Sequence, residues 1–441
     1  MSTSETICAL ATPTGNASVG IIRISGPKAL EIATSITQKT LSPRYAHFSH
    51  FYDDNGDVVD QGIAIYFPAP NSFTGEDVVE LQPHGNPYVC QRIINCLNKR
   101  GVRQARAGEF SERAFINGKL DLTQLEAIAD LIASGSEQAA RSAAQSMQGK
   151  FSLQVQQLLS QLIQIRTHIE ASLDFAEEDI ETEARDIVST KLQALISQVK
   201  HLFEVAEKGV HLQKGFTVVL TGSPNVGKSS LFNALCAQDR AIVTDIPGTT
   251  RDVVSIDMVL SGVPVRLLDT AGIREHAEQV EQQGIERAQS AIESADAIIH
   301  VYDGTAIDLQ PSIQNAYVNE LIVVNKSDLL EENHNPLPTG ILVSAKTGQG
   351  LDNLRDEIQT LLNIQPNDQQ APFSARARHL DALRRCLQHF HLAAEQVNNL
   401  SPLELAAEEL RVSQQILGEI TGEFTPDDLL DYVFREFCIG K

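Results

Sequence analysis

Between Gly222 and Ser229 the chain reads Gly-Ser-Pro-Asn-Val-Gly-Lys-Ser, a spacing of glycines, lysine and hydroxyl that suits the phosphates of a nucleotide. Gly222 and Gly227 let the backbone curl so that successive N–H groups point inward at phosphate oxygens. Lys228 can neutralise the β- and γ-phosphates, and the Ser229 hydroxyl can ligate Mg²⁺. The flanks supply the elements this needs. Phe216–Leu220 has the apolar run of a buried strand, and Ser230–Leu235 reads as the opening turns of a helix, whose N-terminus adds partial positive charge. That strand–loop–helix context makes Asn225, Val226, Gly227, Lys228, Ser229 and Ser230 a phosphate-site candidate. The plainer alternative is a glycine-rich turn ahead of a helix.

Three further motifs follow in the order a GTPase requires. Asp269-Thr270-Ala271-Gly272 comes after the strand-like Val265–Leu268. Its aspartate can hold Mg²⁺ through water, and the Gly272 N–H can reach the γ-phosphate. Asn325-Lys326-Ser327-Asp328 ends the strand-like Leu321–Val324. A carboxylate at Asp328 accepts two hydrogen bonds from guanine, one from N1–H and one from the exocyclic amine. Adenine has no such donor pair and would leave the carboxylate unpaired, so guanine is strongly preferred. Ser344-Ala345-Lys346, after Ile341–Val343, supports the base through backbone N–H groups. Each short pattern alone occurs by chance; in this order they specify GTP.

The loop Asp245-Ile246-Pro247-Gly248-Thr249-Thr250-Arg251-Asp252 lies between the first two motifs. A threonine here closes on Mg²⁺ and the γ-phosphate. Thr250 is the better placed and Thr249 the alternative, against a merely threonine-rich loop. Gly272 is followed by Ile273. Ras-like enzymes carry there a glutamine that orients the attacking water, and isoleucine cannot hydrogen-bond water. Hydrolysis must be assisted or be very slow. Glu275, Glu278 and Glu281 could act through a water, although each alone reads as a solvated helix charge. A monovalent cation, held by the Asn225 side chain and carbonyls of the following loop, could stand where other GTPases use an arginine.

These motifs occupy a minority of the 441 residues, a length that suggests roughly two to four domains. A formal net charge of −22 argues against a broad nucleic-acid surface, which needs clustered Lys and Arg. A partner or a local patch must supply any positive field. The same charge disfavours an anionic membrane. Six scattered cysteines without a C-x-x-C pair argue against structural disulfides or zinc. Met1–Pro13 lacks a basic start and a long apolar core, and no apolar run approaches the about 20 residues of a membrane span. The expectation is a cytoplasmic protein with no membrane role.

Residues 1–118 read as a mixed α/β or β-rich module. Ser18–Ile24, Val58–Phe67 and Asp77–Leu81 look like strands, and Asp53-Asp-Asn-Gly56 looks like a hairpin turn. Pro87–Arg100 reads as an amphipathic helix stopped by Gly101. Over residues 119–214 the texture changes. Leu158, Leu162, Ile165, Ile169 and Leu173, then Leu192, Leu195, Ile196, Val199, Leu202 and Phe203, recur at the spacing of long bundle helices. The acidic run Glu177–Glu183 is expected to be a solvated connection between them rather than a metal site. Residues 215–365 alternate strands with helices. After the polar stretch 366–372, helical periodicity resumes through Leu380, Leu383, Leu387, Phe390, Leu405, Leu410 and Ile416, towards residue 441. The expected fold class is multidomain α/β plus all-α. An N-terminal α+β domain (1–118) precedes a helical bundle domain (119–214 and 366–441), which is interrupted by a Ras-like P-loop GTPase domain (215–365).

Over essentially its full length the chain resembles the MnmE family of tRNA-modification GTPases. Gly222-x-Pro-Asn-Val-Gly-Lys-Ser-Ser-Leu231, with Thr244–Asp252, Asp269–Ile273 and Asn325-Lys-x-Asp328, is the pattern of the wider group that also holds Era and EngA. More specific are Gly108-Glu-Phe-Ser-Glu-Arg-Ala-Phe115, Asn117-Gly-Lys-Leu-Asp-Leu122 and the terminal Cys438-Ile-Gly-Lys441. The resemblance implies a homodimer built through the N-terminal domains and hydrolysis stimulated by potassium. GTP-driven dimerisation of the GTPase domains would form the K⁺ site from Asn225, Thr244, Ile246 and Thr249. Mg²⁺ would go to Ser229 and Thr250, and the activating glutamate would be Glu281. The N-terminal domain is similar to folate-binding aminomethyltransferase modules. Its family contacts to a tetrahydrofolate derivative, in the 5-formyl or 5,10-methylene form, fall on Arg23, Glu80, Lys119 and Lys441. With an MnmG-like FAD protein, in a heterotetramer-type complex, the family installs an aminomethyl or carboxymethylaminomethyl group at C5 of the wobble uridine of certain tRNAs.

The bare residues do not disclose the folate site: Arg23, Glu80 and Lys119 read as surface or strand-end charges. Cys438 is open between a reactive thiol and a small buried residue. Asn86 stands where the family often has a second glycine, and asparagine's tolerance of positive φ would preserve the turn. Ala107 replaces a frequent proline. A ribosome-assembly GTPase of the Era or EngA type would carry a KH-like module with G-x-x-G and basic flanks, and nothing after Lys346 supplies it. A dynamin-like membrane GTPase would want an apolar or polybasic lipid-contacting segment, and none is visible.

Overall fold

Apolar alternation along short strands builds two six-stranded sheets, one in each of the compact units Met1–Ala129 with Gln414–Lys441 and Asp130–Ser413. The computed structural model describes residues 5–174, 178–236, 255–269, 292–293, 295–305, 319–330, 340–364 and 372–423. Among them no helix is long and apolar enough to cross a membrane.

In the first unit the strands are β1 (Ile7–Leu10), β2 (Ile22–Ser25), β3 (His47–Tyr52), β4 (Val58–Phe67), β5 (Val78–Gln82) and β6 (Arg103–Gln104), in the order β3-β4-β5-β2-β1-β6. Only the β1–β6 pair is parallel. Successive residues of β1 point to opposite faces, as a strand requires. Cys8 joins Ile22, Ile24, Val79 and Leu81 under helices α1 (Ala29–Thr37) and α2 (Pro87–Lys99). Ile7 and Ala9 instead meet Phe110 of α3 (Glu109–Ile116). The β3–β4 turn is the expected one, closed by Asp53 N–H to Asp57 O at 3.0 Å.

Two local expectations need correction. The strand read over Ser18–Ile24 begins only at Ile22. Around Gly20 the backbone pairs through single contacts, Gly20 N to Pro83 O at 2.9 Å and Ala17 N to Gly85 O at 3.0 Å, instead of a continuous ladder, and a Cβ on Gly20 would lie 2.7 Å from Cys90 Sγ of α2. Asn86 is not in a positive-φ turn: its φ is −82°, and its side chain caps α2 by accepting from Tyr88 N and Val89 N. Asparagine serves there as an N-cap, with Pro87 starting the helix.

In the second unit the long helices are α5 (Glu137–Met147), α6 (Lys150–Asp174), α7 (Glu178–Lys214) and α10 (Ala377–Asn398), while α4 (Leu122–Ala133) and α11 (Leu403–Thr421) carry residues of both units. Because α7 starts at Glu178, most of the acidic run expected as a connection is helical backbone. Segments on either side of the nucleotide motifs share one helical core. Phe151 stacks on Phe373 with ring centroids 4.7 Å apart, Ser146 Oγ donates to Ser374 O at 3.0 Å, and Arg185 Nη2 donates to Ser401 O at 2.9 Å.

The second sheet contains β7 (Phe216–Thr221), β8 (Ser255–Leu260), β9 (Val263–Asp269), β10 (Ala297–Asp303), β11 (Asn319–Asn325) and β12 (Ile341–Leu342), in the order β12-β11-β10-β7-β9-β8. Only the β8–β9 pair is antiparallel. Helices α8 (Lys228–Cys236) and α9 (Leu351–Leu361) bury Leu231, Phe232, Leu354 and Ile358 against the sheet. The strand order reverses beside β7, and open parallel sheets hold ligands at the carboxyl ends of strands at such a switch point.

Candidate functional site

Strand register brings the separated motifs to one edge. Leu220 of β7 stands opposite Asp269 of β9, and Asp303 of β10 stands opposite Asn325 of β11. The phosphate loop leaves β7 between them. Gly222 has φ +146°, and a Cβ on it would lie 2.3 Å from Val301 O. Gly227 has φ +90°, and a Cβ there would lie 2.3 Å from Asn325 Nδ2. Glycine at both positions is therefore steric as well as conformational. Asn225 is also left-handed, at φ +67°, a region asparagine enters more readily than most residues.

Lys228 folds over this loop and is only 6% exposed; its Nζ donates to Gly222 O at 2.9 Å and Ser223 O at 2.8 Å. Asn225, Ser229 and Ser230 are exposed at the mouth, with Val226 buried beneath. Ser229 Oγ donates to Asp269 Oδ2 at 2.9 Å. A hydroxyl and a carboxylate meeting at one point are hard oxygen donors of the kind Mg²⁺ takes. The helix N-terminus beside them carries N–H groups without intrahelical partners.

The guanine motifs are tied to this loop by side chains. Asn325 Nδ2 donates to Val226 O at 3.0 Å, while its Oδ1 accepts from Ala345 N at 3.1 Å. One buried amide thus joins the phosphate loop to the Ser344–Lys346 loop. Asp328 Oδ1 accepts from the buried Ser344 Oγ at 2.6 Å, and Lys346 is exposed. Lys326 Nζ donates to Asn225 O at 3.1 Å and to Asp303 Oδ2 at 2.6 Å. Sequence reasoning missed Asp303; its only signal was an acidic residue ending the apolar strand of β10. Thr244, Asp245, Ile246, Pro247, Gly248, Thr249, Thr250, Thr270, Ala271, Gly272, Ile273, Glu275, Glu278, Glu281, Cys438 and Lys441 lie outside the described residues.

In the first unit Arg23 and Glu80 are cross-strand partners. Arg23 Nε and Nη2 donate to Glu80 Oε1 at 3.1 and 2.9 Å. The guanidinium also lies 5.2 Å from the Phe73 ring centroid and 5.8 Å from that of Phe110, within cation–π range. Lys119 reaches the same 73–75 segment, for a Cβ on Gly75 would lie 3.2 Å from Lys119 Cγ. So Arg23 and the stem of Lys119 both lie along the 73–75 loop, with Glu80 joined to Arg23. Arg23 and Glu80, which read separately as strand-end charges, form an ion pair backed by two aromatic rings.

Phe110 is held by an ionic network that the sequence did not announce. Glu109 accepts from Arg103, from Arg113 Nη2 at 3.2 Å and from Arg106 N at 2.8 Å. Burial pushes the Glu109 carboxyl up, but these cations and the backbone donor outweigh it and hold the group below its ordinary range. Arg113 Nη1 also donates to Glu76 Oε2 at 2.9 Å, and Ser25 Oγ donates to the same oxygen at 2.7 Å. The motif Gly108–Phe115 thereby braces the wall of the Arg23 cluster. Cys8 is buried nearby, and desolvation pushes its thiol up to about 12, so it is no nucleophile.

The model described as GTP-binding protein TrmE N-terminus matches residues 6–119, and that described as MnmE helical domain matches residues 122–438. A relative in Vibrio parahaemolyticus, named tRNA modification GTPase MnmE, is 48% identical with 100% of both chains covered. One of the same name in Saccharophagus degradans is 47% identical, covering 100% of this chain and 99% of its own length. Among solved structures, Aquifex aeolicus Era bound to GDP and aluminium fluoride is 26% identical over 40% of this chain and 67% of its own, with a TM-score of 0.26. The FeoB G-domain from Methanococcus jannaschii is 24% identical over 34% of this chain and 98% of its own, also with a TM-score of 0.26.

Proposed function

The chain belongs to the MnmE family of tRNA-modification GTPases, and on that premise we propose that its GTP hydrolysis serves C5 modification of the wobble uridine of certain tRNAs. The group added is aminomethyl or carboxymethylaminomethyl. One observation carries the nucleotide part of the reading. Hydrogen bonds run from Asp269 through Ser229 and the phosphate loop to Asn325 and Ala345, so metal, phosphate and base contacts belong to one site.

In this reading the N–H groups of Asn225–Ser230 and the N-terminus of α8 take the phosphates. Lys228 exchanges the Gly222 and Ser223 carbonyls for phosphate oxygens. Ser229 and Thr250, with Asp269 beside them, would hold Mg²⁺, which would supply positive charge to the phosphoryl group being transferred. Asn225, Thr244, Ile246 and Thr249 would hold K⁺ beside the phosphates and the Gly272 N–H reaches the γ-phosphate, while Asp328 and the Ser344–Lys346 loop hold guanine. Because Ile273 cannot orient water, Glu281 positions it instead. Glu281→Ala should slow hydrolysis by about 10²-fold, a general-base magnitude, with GTP affinity nearly unchanged. Equilibrium titration beside single-turnover rates tests this, and a large loss of binding would make Glu281 a structural residue.

Arg23 and Glu80 would hold a tetrahydrofolate derivative, 5-formyl or 5,10-methylene, which when bound would supply the carbon. The residues present suit it: a guanidinium and a carboxylate side by side match a polar heterocycle edge, and the half-buried Phe73 ring beside Arg23 supplies an apolar wall. Lys119 and Lys441 take its remaining charge. Arg23→Ala should weaken binding of 5-formyltetrahydrofolate at least about tenfold, the loss of one charge-assisted contact, and leave GTP binding intact. Unchanged folate titration would remove Arg23 from that site.

The protein works in the cytoplasm as a homodimer, together with an MnmG-like FAD protein. The net charge of −22 supports a partner that supplies the positive surface for tRNA. Mass analysis of tRNA nucleosides from cells lacking this protein tests the whole reading. Loss of the C5-substituted wobble uridines is expected, and their retention would overturn it.

A further inference from the structure

We propose that Asp303 is a positioning residue for guanine-nucleotide binding, holding Lys326 against the phosphate loop so that the base and phosphate contacts are set together. The inference rests on the guanine-site reading above and deepens it. Asp303 ends β10 directly opposite Asn325, and Gly304 N donates to Asn325 O at 2.9 Å, so the two strand ends are locked side by side. Both carboxylate oxygens are engaged. Oδ2 accepts from Lys326 Nζ at 2.6 Å, and Oδ1 accepts from Thr305 N at 3.0 Å and Thr305 Oγ1 at 2.7 Å. The carboxylate therefore cannot rotate to follow a wandering lysine.

Lys326 is itself in a conformation that non-glycine residues seldom adopt, with φ +64°, and such backbones persist only where the surroundings hold them. Its ammonium is shared between Asp303 and the carbonyl of Asn225 at 3.1 Å. Asn225 too is left-handed. One ion pair thus pins a residue of the base motif to a residue of the phosphate loop. Burial pushes the Asp303 carboxyl up, yet Lys326 and Thr305 outweigh it and keep it charged. A surface ion pair adds little to stability, and this one is partly exposed, with side chains 33% and 20% accessible. Its use lies in pre-ordering: a lysine already held loses less freedom when nucleotide binds.

The test is equilibrium titration of the full-length protein with fluorescent GDP and a non-hydrolysable fluorescent GTP analogue, alongside steady-state hydrolysis. Asp303→Asn should weaken both nucleotides about tenfold and raise KM for GTP alike, with kcat at saturation within about twofold of wild type. Lys326→Met should weaken binding similarly. The double variant should be no weaker than Lys326→Met alone, since both changes remove one interaction. Asp303→Glu, which retains the charge, should recover part of the loss. Affinity within about twofold of wild type in Asp303→Asn, or losses that multiply in the double variant, would overturn the proposal. So would an Asp303→Glu defect equal to that of Asp303→Asn, which would mark a packing residue. Wild-type competition between GTP and ATP separates the two levels. Failure to discriminate overturns the guanine site and this inference with it, whereas discrimination with an unaffected Asp303→Asn overturns this inference alone.

Discussion

Asp328→Asn should abolish most of the preference for GTP over ATP and weaken GTP binding by about 10²–10⁴-fold, the equivalent of two hydrogen bonds to a charged acceptor. The Asp328 carboxylate is held in place by the Ser344 hydroxyl at 2.6 Å, and Ser344 is fully buried. An amide at this position presents an NH₂ group to guanine's own donors, and donor faces donor. Sites built to receive specific hydrogen bonds discriminate strongly because the wrong ligand leaves them unpaired. Xanthine nucleotides carry a carbonyl where guanine carries its amine, so they should bind the variant better than GTP does. Competition titrations with GTP, XTP and ATP measure all three. Unchanged discrimination against ATP would sink the base-recognition argument.

Turnover of the wild-type protein should be at least about tenfold faster in KCl than in NaCl at equal ionic strength. A cation supplied to the transition state elsewhere, by an arginine finger, is worth about 10³–10⁵ in rate. The argument starts from Ile273, which leaves the attacking water without the usual glutamine. It continues at Asn225, whose backbone carbonyl already accepts from Lys326 at 3.1 Å. With an ammonium already at that carbonyl, the Asn225 side-chain oxygen is the better cation ligand, so Asn225→Ala should reduce the KCl advantage to about twofold or less, as expected when a transition-state contact is removed. Equal rates in the two salts for the wild type would remove the monovalent cation from the mechanism.

The Asp303 contact, the later start of β2 and the Asn86 cap mark where local reading ends. Gly20 lies in an apolar run that looks like strand, yet it bonds to Pro83 from under the Cys90 side chain of a distant helix, and the regular ladder starts at Ile22. Asn86 looked like a turn residue tolerating positive φ, but the helix that begins at Pro87 uses it as a cap. The acidic run near Glu178 reads as solvated linker, because charge density says nothing about backbone geometry; α7 begins within it. Arg23, Glu80 and Lys119 carried no pattern of their own. They gain a shared environment from strand register and from the loop through Phe73 and Gly75.

A phosphate loop, a guanine motif and long amphipathic helices are legible in the residue order alone. Each rests on residues within a few positions of one another, whose geometry follows from a single strand, turn or helix. Why Gly227 must lack a side chain is visible only in the folded chain, where the Asn325 amide reaches it from another strand. Only the register of β10 on β11 set Asp303 beside Lys326. Such contacts join residues far apart in the chain, and no local spacing encodes which strands lie side by side.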